Sequence, residues 1–175
     1  MNYGNIKYCD IANGEGVRTA LFVSGCRNHC ELCFNPETWD FKYGEVFTED
    51  TVKQIMTSLK PNHIAGLSLL GGEPMEQENQ KVLSELVTLV KATYPKKTVW
   101  AYTGYLFDED LIPGGKKYTE YTDTLLAGID ILVDGKFVND LKDITLQFRG
   151  SKNQRIINVQ KSLATGTTVI ETRFK

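Results

Sequence analysis

The chain has no apolar run long enough to cross a bilayer, so no membrane association is expected. It has no excess of positive charge: 20 Lys and Arg stand against 22 Asp and Glu, for a formal net charge of −2. A general electrostatic attraction to nucleic acid is therefore not expected either. Short basic groups such as Lys96–Lys97 read as solvated surface. The opening residues MNYGNIKYCDIANGEG lack the basic-then-apolar pattern of a secretory signal, which makes the cytoplasm the expected compartment. Internal repeats and low-complexity linkers are missing, so the 175 residues are expected to form a single domain, 1–175, around one core. Cysteine is scarce at four residues, yet Cys26, Cys30 and Cys33 crowd into one short stretch. In a reducing compartment such crowding reads as metal ligation or reactivity before disulfide bonding.

Short apolar, β-branched or aromatic runs ending in glycine read as buried strands: TALFV (19–23), GLSLL (66–70), TVWAY (98–102) and DILV (130–133). RIINV (155–159) and TVIET (168–172) read the same way. Helical periodicity alternates with them. Val52, Ile55, Met56 and Leu59 share one face, with Thr48 placed to cap and Glu49 and Asp50 suiting the positive end of the dipole. Val82, Leu83, Leu86, Val87 and Val90 repeat the pattern up to Pro95, and a shorter helix near TEYTDTLLAG ends at Gly128. Strand–helix alternation implies an α/β fold with parallel strands and crossover helices. A full eight-unit barrel needs about 250 residues, so a partial (incomplete) β/α barrel or open sheet with mostly parallel strands is expected. In either, a site belongs at the strands' C-terminal ends, and SGC, GGEP, TGY and DGK each follow a strand directly.

The cysteine spacing is C-x3-C-x2-C. On a helix these positions would form one stripe of buried structural cysteines. The flanks favour a metal-wrapping loop instead, since Gly25 follows a strand, Asn28 and His29 are indifferent helix formers and Pro36 comes soon after. Thiolates suit zinc or an iron–sulfur cluster. Structural zinc closes with four ligands, often paired C-x2-C units, and Cys33 is the last cysteine in the chain. His29 adjoins Cys30, so joint ligation would be strained; Cys9 is expected to be a buried thiol. If neither closes the site, one metal position stays open, and an open position is where chemistry occurs. A zinc-binding interaction module without catalysis remains the alternative from a different class.

The cysteine motif, with Leu32 before its last cysteine, together with GGEP at Gly71 to Pro74, resembles the radical S-adenosylmethionine enzymes. NGEGVRTALFVSGC, CFNPETW, LSLLGGEP, VWAYTGY, ILVDGKF and FRGSKNQRIINV narrow the resemblance to the glycyl-radical-enzyme activases that act on anaerobic ribonucleoside-triphosphate reductases, over roughly residues 9–159. The resemblance implies a 4Fe–4S cluster on Cys26, Cys30 and Cys33, with S-adenosyl-L-methionine at the open iron. Reductive cleavage would give methionine and a 5′-deoxyadenosyl radical, which abstracts hydrogen from a glycine of the reductase large subunit. An external one-electron donor is implied as well. A small-molecule substrate, or another glycyl-radical enzyme, is the alternative within this class.

The resemblance also implies roles for individual residues. Gly71 and Gly72 would allow close backbone approach to the methionine part, where an ordinary strand-to-helix turn is the plainer reading. Glu73, or its neighbouring backbone, would hold the amino group. The backbone around Leu32 and Phe34 would run along the adenine, and the side chains would shield the cluster; local packing is the plainer role. Asp134 and Lys136 form D-x-K at a strand end, which is either a turn or a cofactor contact in which the lysine pairs with a carboxylate. Arg18, in GEGVR, would support the cluster loop or the cofactor. Arg149, Asn153, Gln154 and Arg155, in FRGSKNQR, would recognise the partner's glycine loop.

Overall fold

The apolar runs become strands and the 3.6-periodic stretches become helices. The computed structural model describes residues 1–174. In chain order its elements are β1 (Asn2–Asp10), β2 (Val17–Val23), β3 (Glu45–Val46), α1 (Glu49–Leu59), β4 (Ile64–Gly71), α2 (Gln77–Thr93), β5 (Thr98–Tyr102), α3 (Thr122–Gly128), β6 (Ile131–Asp134), β7 (Arg155–Asn158) and α4 (Val159–Thr165). One seven-stranded sheet runs in the order β3-β1-β2-β4-β5-β6-β7. Its four central strands, β2, β4, β5 and β6, are parallel. The flanking pairs β1–β2, β1–β3 and β6–β7 are antiparallel. The sheet is open, with β3 and β7 at its two edges, so parallel pairing holds at the centre and gives way at both sides.

Alternation along each strand divides the side chains between two faces. Val99, Ala101, Leu132 and Ile157 join Ile55 and Leu59 of α1, Leu83, Leu86, Val87 and Val90 of α2, and Leu125 and Leu126 of α3 in the main core. Trp100, Ile131, Val133 and Ile156 point the other way. That second face is covered by Phe148 and Phe174, whose rings lie 5.1 and 5.4 Å from Trp100. Helix α1 starts in a capping box, with the Thr48 hydroxyl accepting from Thr51 N and the Thr51 hydroxyl from Thr48 N. Helix α3 ends at Gly128, where a Cβ would fall 2.1 Å from Val87 Cγ1, so glycine is needed for α3 to approach α2.

Three sequence expectations change. TVIET forms no strand; it meets β7 in a single bridge, Ile157 to Ile170, because Val159–Thr165 turns into α4 and Gly166 closes that helix in the left-handed conformation. Cys9 is exposed, not buried. A register shift between Lys7 and Asp10 and a φ of 55° at Cys9 turn it out of the ladder. Arg18 is fully buried, but at the far end of the sheet from the cysteines, beside Thr98 at the start of β5. Its guanidinium donates to Ser68 Oγ, Thr98 Oγ1 and the carbonyls of Glu15, Leu67 and Thr98. Burial lowers its pKa to about 10.

Candidate functional site

The loops after β2, β4, β5 and β6 surround a cavity of about 520 Å³. Cys26, Asn28, Cys30, Leu32, Cys33 and Phe34 line it from the first loop, and Gly71, Gly72 and Glu73 from the second. Tyr102 ends β5 and Thr103 and Gly104 follow it, and Gly135 and Phe137 follow β6. Leu146, Phe148, Arg149 and Gln154 close the remaining side. The volume is that of a small-molecule or cofactor site.

The cysteine loop is irregular. No helix lies between Ser24 and Asn35, and His29 and Leu32 have φ of 43° and 53°. The cysteines therefore do not form a helical stripe. Gly25, at φ 95°, starts the loop where a Cβ would strike the Phe41 ring at 2.3 Å. Gly25 N and Cys26 N donate to the carbonyls of Thr38 and Trp39 at 2.8 and 3.1 Å, fixing the loop's two ends together. Burial raises the Cys26 thiol to about 11, with the backbone N–H groups of Asn28 and His29 opposing it. Burial also raises Cys30, with the Lys136 ammonium opposing it. Buried thiols of this kind lose their protons when a metal centre supplies positive charge. Leu32 and Phe34 are 72% and 97% exposed, so they border the cavity without packing into the core.

His29 and Cys9 do not line the cavity. His29 stacks on Trp39, with ring centroids 4.6 Å apart. The cavity thus carries three thiols without a fourth cysteine or a histidine. Among the described residues, no set of three His, Cys, Asp or Glu side chains is gathered tightly enough for a single metal ion. A multi-iron cluster takes its thiolates on separate irons, so its ligands stand further apart than those of one zinc ion. The donor set fits such a cluster.

The GGEP turn is fastened to the cysteine loop. Gly72 N donates to Val23 O at 2.7 Å and Glu73 N to Gly25 O at 2.9 Å. A Cβ on Gly72 would meet the carbonyl oxygens of Gly25, Thr38 and Val23 at 2.7–3.0 Å. Gly71 sits at φ 106°, against the Phe22 backbone. The Glu73 carboxylate is buried and accepts from Asn28 Nδ2 (3.1 Å), Gly104 N (2.8 Å) and Met75 N (2.9 Å). Burial pushes its pKa up to about 7. Nearby Glu76 is also buried. Burial alone would raise it, but Lys117, Arg27 and Tyr105 hold it below the usual range.

The D-x-K residues divide. Asp134 is buried, accepts from Phe107 N and forms a two-point pair with Arg155 at 2.9 and 2.5 Å. Arg155 also holds Asp108, whose pKa falls to about 2. Neither Asp134 nor Lys136 lines the cavity, although the exposed Lys136 acts electrostatically on Cys30. In FRGSKNQR, Arg149 Nη1 donates to Gln154 O, and Gln154 Oε1 accepts from the N–H groups of Gly150 and Ser151. Asn153 donates to Lys136 O. Among the described residues, three buried polar atoms have no partner: Trp39 Nε1, Tyr102 Oη and Arg149 Nε. All three residues line the cavity. Each such orphan costs about 1–3 kcal/mol, so their convergence points to a polar occupant. Asn28, Trp39 and Tyr102 were missed in sequence; for Trp39 its place in CFNPETW was the available signal.

Residues 12–157 match the family model described as a 4Fe-4S single cluster domain, so the sheet with three cysteines on a loop at its strand tips is that of an iron–sulfur protein. Three relatives carry the name anaerobic ribonucleoside-triphosphate reductase-activating protein. The relative from Enterobacteria phage T4 is 42% identical over 156 residues, covering 89% of this chain and 93% of its own. That of Vibrio cholerae is 40% identical over 158 residues, with coverage of 89% and 97%. That of Escherichia coli K12 is 41% identical over 156 residues, with coverage of 88% and 96%. The chain belongs to this family of reductase-activating proteins. No solved structure matches it.

Proposed function

We propose that the protein activates an anaerobic ribonucleoside-triphosphate reductase by placing a glycyl radical on its large subunit. When bound, the 4Fe–4S cluster supplies one electron for cleaving S-adenosylmethionine, and the 5′-deoxyadenosyl radical so released takes the glycine hydrogen. The observation that carries this reading is the meeting of three thiols and the GGEP turn on one cavity that has no fourth thiol or imidazole.

Cys26, Cys30 and Cys33 would hold the cluster. The Glu73 carboxylate already has three donors, so we assign the methionine amino group to the backbone at Gly71 and Gly72, with Glu73 pinning the loops around it. Leu32 and Phe34 would flank the adenine and keep water from the thiols. Tyr102 and Arg149 present unsatisfied polar atoms to the cofactor or to the incoming glycine loop. Lys136, whose charge is felt at Cys30, would serve as the cation for a carboxylate.

The same reading takes the open sheet as an incomplete β/α barrel in one domain, 1–175, whose missing side admits a peptide segment. It places the protein in the cytoplasm, dependent on an external one-electron donor. No helix among the described residues is long and apolar enough to cross a membrane.

The decisive experiment mixes anaerobically reconstituted, reduced protein with S-adenosylmethionine and the reductase. A glycyl-radical signal by electron paramagnetic resonance is expected. Cleavage of S-adenosylmethionine without a protein radical would redirect the reading to a small-molecule substrate. A colourless protein holding one zinc would overturn it.

A further inference from the structure

Glu76 occupies the N-cap position of α2, yet its side chain does not cap that helix. The side chain is directed away from the first turn of that helix. Its Oε1 accepts from the Arg27 backbone N–H at 3.0 Å and the Tyr105 hydroxyl at 2.9 Å. Its Oε2 accepts from the Arg27 guanidinium at 2.6 Å and the Lys117 ammonium at 2.7 Å. A buried carboxylate with four donors is fully engaged. Arg27 belongs to the cysteine loop, whereas Tyr105 and Lys117 lie between β5 and α3. None of these four residues lines the cavity, so the network acts on the site from behind.

The link to the site is the backbone. Arg27 adjoins Cys26, so its gripped N–H fixes the chain directly after that residue, and the next two N–H groups, those of Asn28 and His29, act electrostatically on the Cys26 thiol. The Arg27 guanidinium is held further by Glu78 at 2.5 Å and by the Phe41 ring, with its centroid 4.4 Å away. Hydrogen bonds to ligating sulfur raise a cluster's reduction potential, and they depend on how the backbone at residues 27–29 is held.

We propose that Glu76 is a positioning residue: it grips Arg27 by backbone and side chain and so aims the Asn28 and His29 N–H groups at the Cys26 sulfur. The inference rests on the assignment of Cys26 as a cluster ligand. Positioning and bare charge predict opposite signs. Removing a buried negative charge would by itself raise the cluster's potential, whereas turning the Asn28 and His29 N–H groups away from the sulfur lowers it.

The test uses Glu76→Gln and Glu76→Gln/Lys117→Met. The second variant removes the ammonium that the first leaves stranded. Three quantities are measured: melting temperature, midpoint potential of the reconstituted cluster, and alkylation rates of Cys26 and Cys9 in the metal-free chain by mass spectrometry. Glu76→Gln is expected to speed Cys26 alkylation about tenfold, as local opening becomes easier, with exposed Cys9 unchanged as internal control. The midpoint is expected to move negative. The double variant should recover melting temperature without recovering either site readout. A midpoint that stays or moves positive, equal acceleration at both cysteines, or recovery of the Cys26 rate together with stability would overturn the proposal. A wild-type chain that takes up no cluster would instead defeat the iron–sulfur assignment, while the alkylation comparison would still decide whether Glu76 anchors the loop.

Discussion

Asn28 donates its side-chain amide to Glu73 Oε2 at 3.1 Å, joining the middle of the cysteine loop to the GGEP turn. Two motifs 45 residues apart in sequence thereby share one buried carboxylate. The Gly104 N–H on the same oxygen brings in the tip of β5. Glu73 is thus a joint between three loops before it is anything else.

Its ionisation gives a pH signature. Burial raises the Glu73 pKa from 4.5 to about 7, so the folded chain binds this proton more tightly than the unfolded chain. The contribution to stability is complete below pH 4.5 and is lost as pH rises through about 7. Relative to Glu73→Gln, the wild type should lose roughly 3 kcal/mol across that window, at about 1.4 kcal/mol per pKa unit. Urea midpoints of both proteins, taken from pH 4.5 to 8, check it. Parallel curves would show that Glu73 titrates normally.

The three cavity thiols and the fourth cysteine should behave differently. Cys26→Ala, Cys30→Ala and Cys33→Ala are each expected to abolish stable cluster binding and cleavage of S-adenosylmethionine. Cys9→Ala, exposed on β1, should keep both. Iron and sulfide per chain, with the spectrum of the reduced cluster, separate the two groups. Loss of the cluster in Cys9→Ala would mean that the site has four protein ligands.

Arg18 tests the opposite end of the sheet. Replacing it with Met removes the donor to the Leu67 and Thr98 carbonyls and to the Thr98 hydroxyl, and leaves Ser68 Oγ with only its own bond to Asn13 O. Stranded buried groups cost about 1–3 kcal/mol each, partly offset by relaxation, so a loss of at least ~3 kcal/mol is expected. For a chain of this size that lowers Tm by roughly 10 °C. Iron content per folded chain should stay at the wild-type level, because none of the side chain's hydrogen-bond partners lines the cavity. A variant that melts normally but loses its cluster would return Arg18 to the site.

The central strands and three helices were legible because each obeys a local rule: apolar runs for strands buried on both faces, 3.6 periodicity for α1 and α2, and glycine at the end of α3. The site's position was legible for the same reason, since four motifs follow four parallel strands. β1 was not, because NYGNIKYCD holds few apolar residues and is stabilised by pairing with β2 and β3 on its two sides. Helix α4 was hidden behind the apolar run RIINV, which changes from strand to helix at Val159, where Asn158 caps Lys161 N. Asn28 and Glu76 carry no local signal. Each becomes significant only when the fold sets it against a group far away in sequence.

The D-x-K pair gives the last test, and its two members should separate. Asp134 is sealed against Arg155 and the Phe107 N–H, so Asp134→Asn should act on the fold. Arg155 is partly exposed and keeps Asp108, so the loss is held to about 1–3 kcal/mol. Lys136 is exposed and makes its field felt at Cys30. Lys136→Met should change stability by less than ~0.5 kcal/mol. If its ammonium pairs with the carboxylate of S-adenosylmethionine, removing it should weaken binding about tenfold or more. Calorimetric titration of the reconstituted variants, beside their melting curves, reads both quantities. The expected pattern is lost stability in Asp134→Asn and lost affinity in Lys136→Met. Lost affinity in Asp134→Asn at unchanged stability would instead make the carboxylate the cofactor contact, with the Arg155 pair opening to release it.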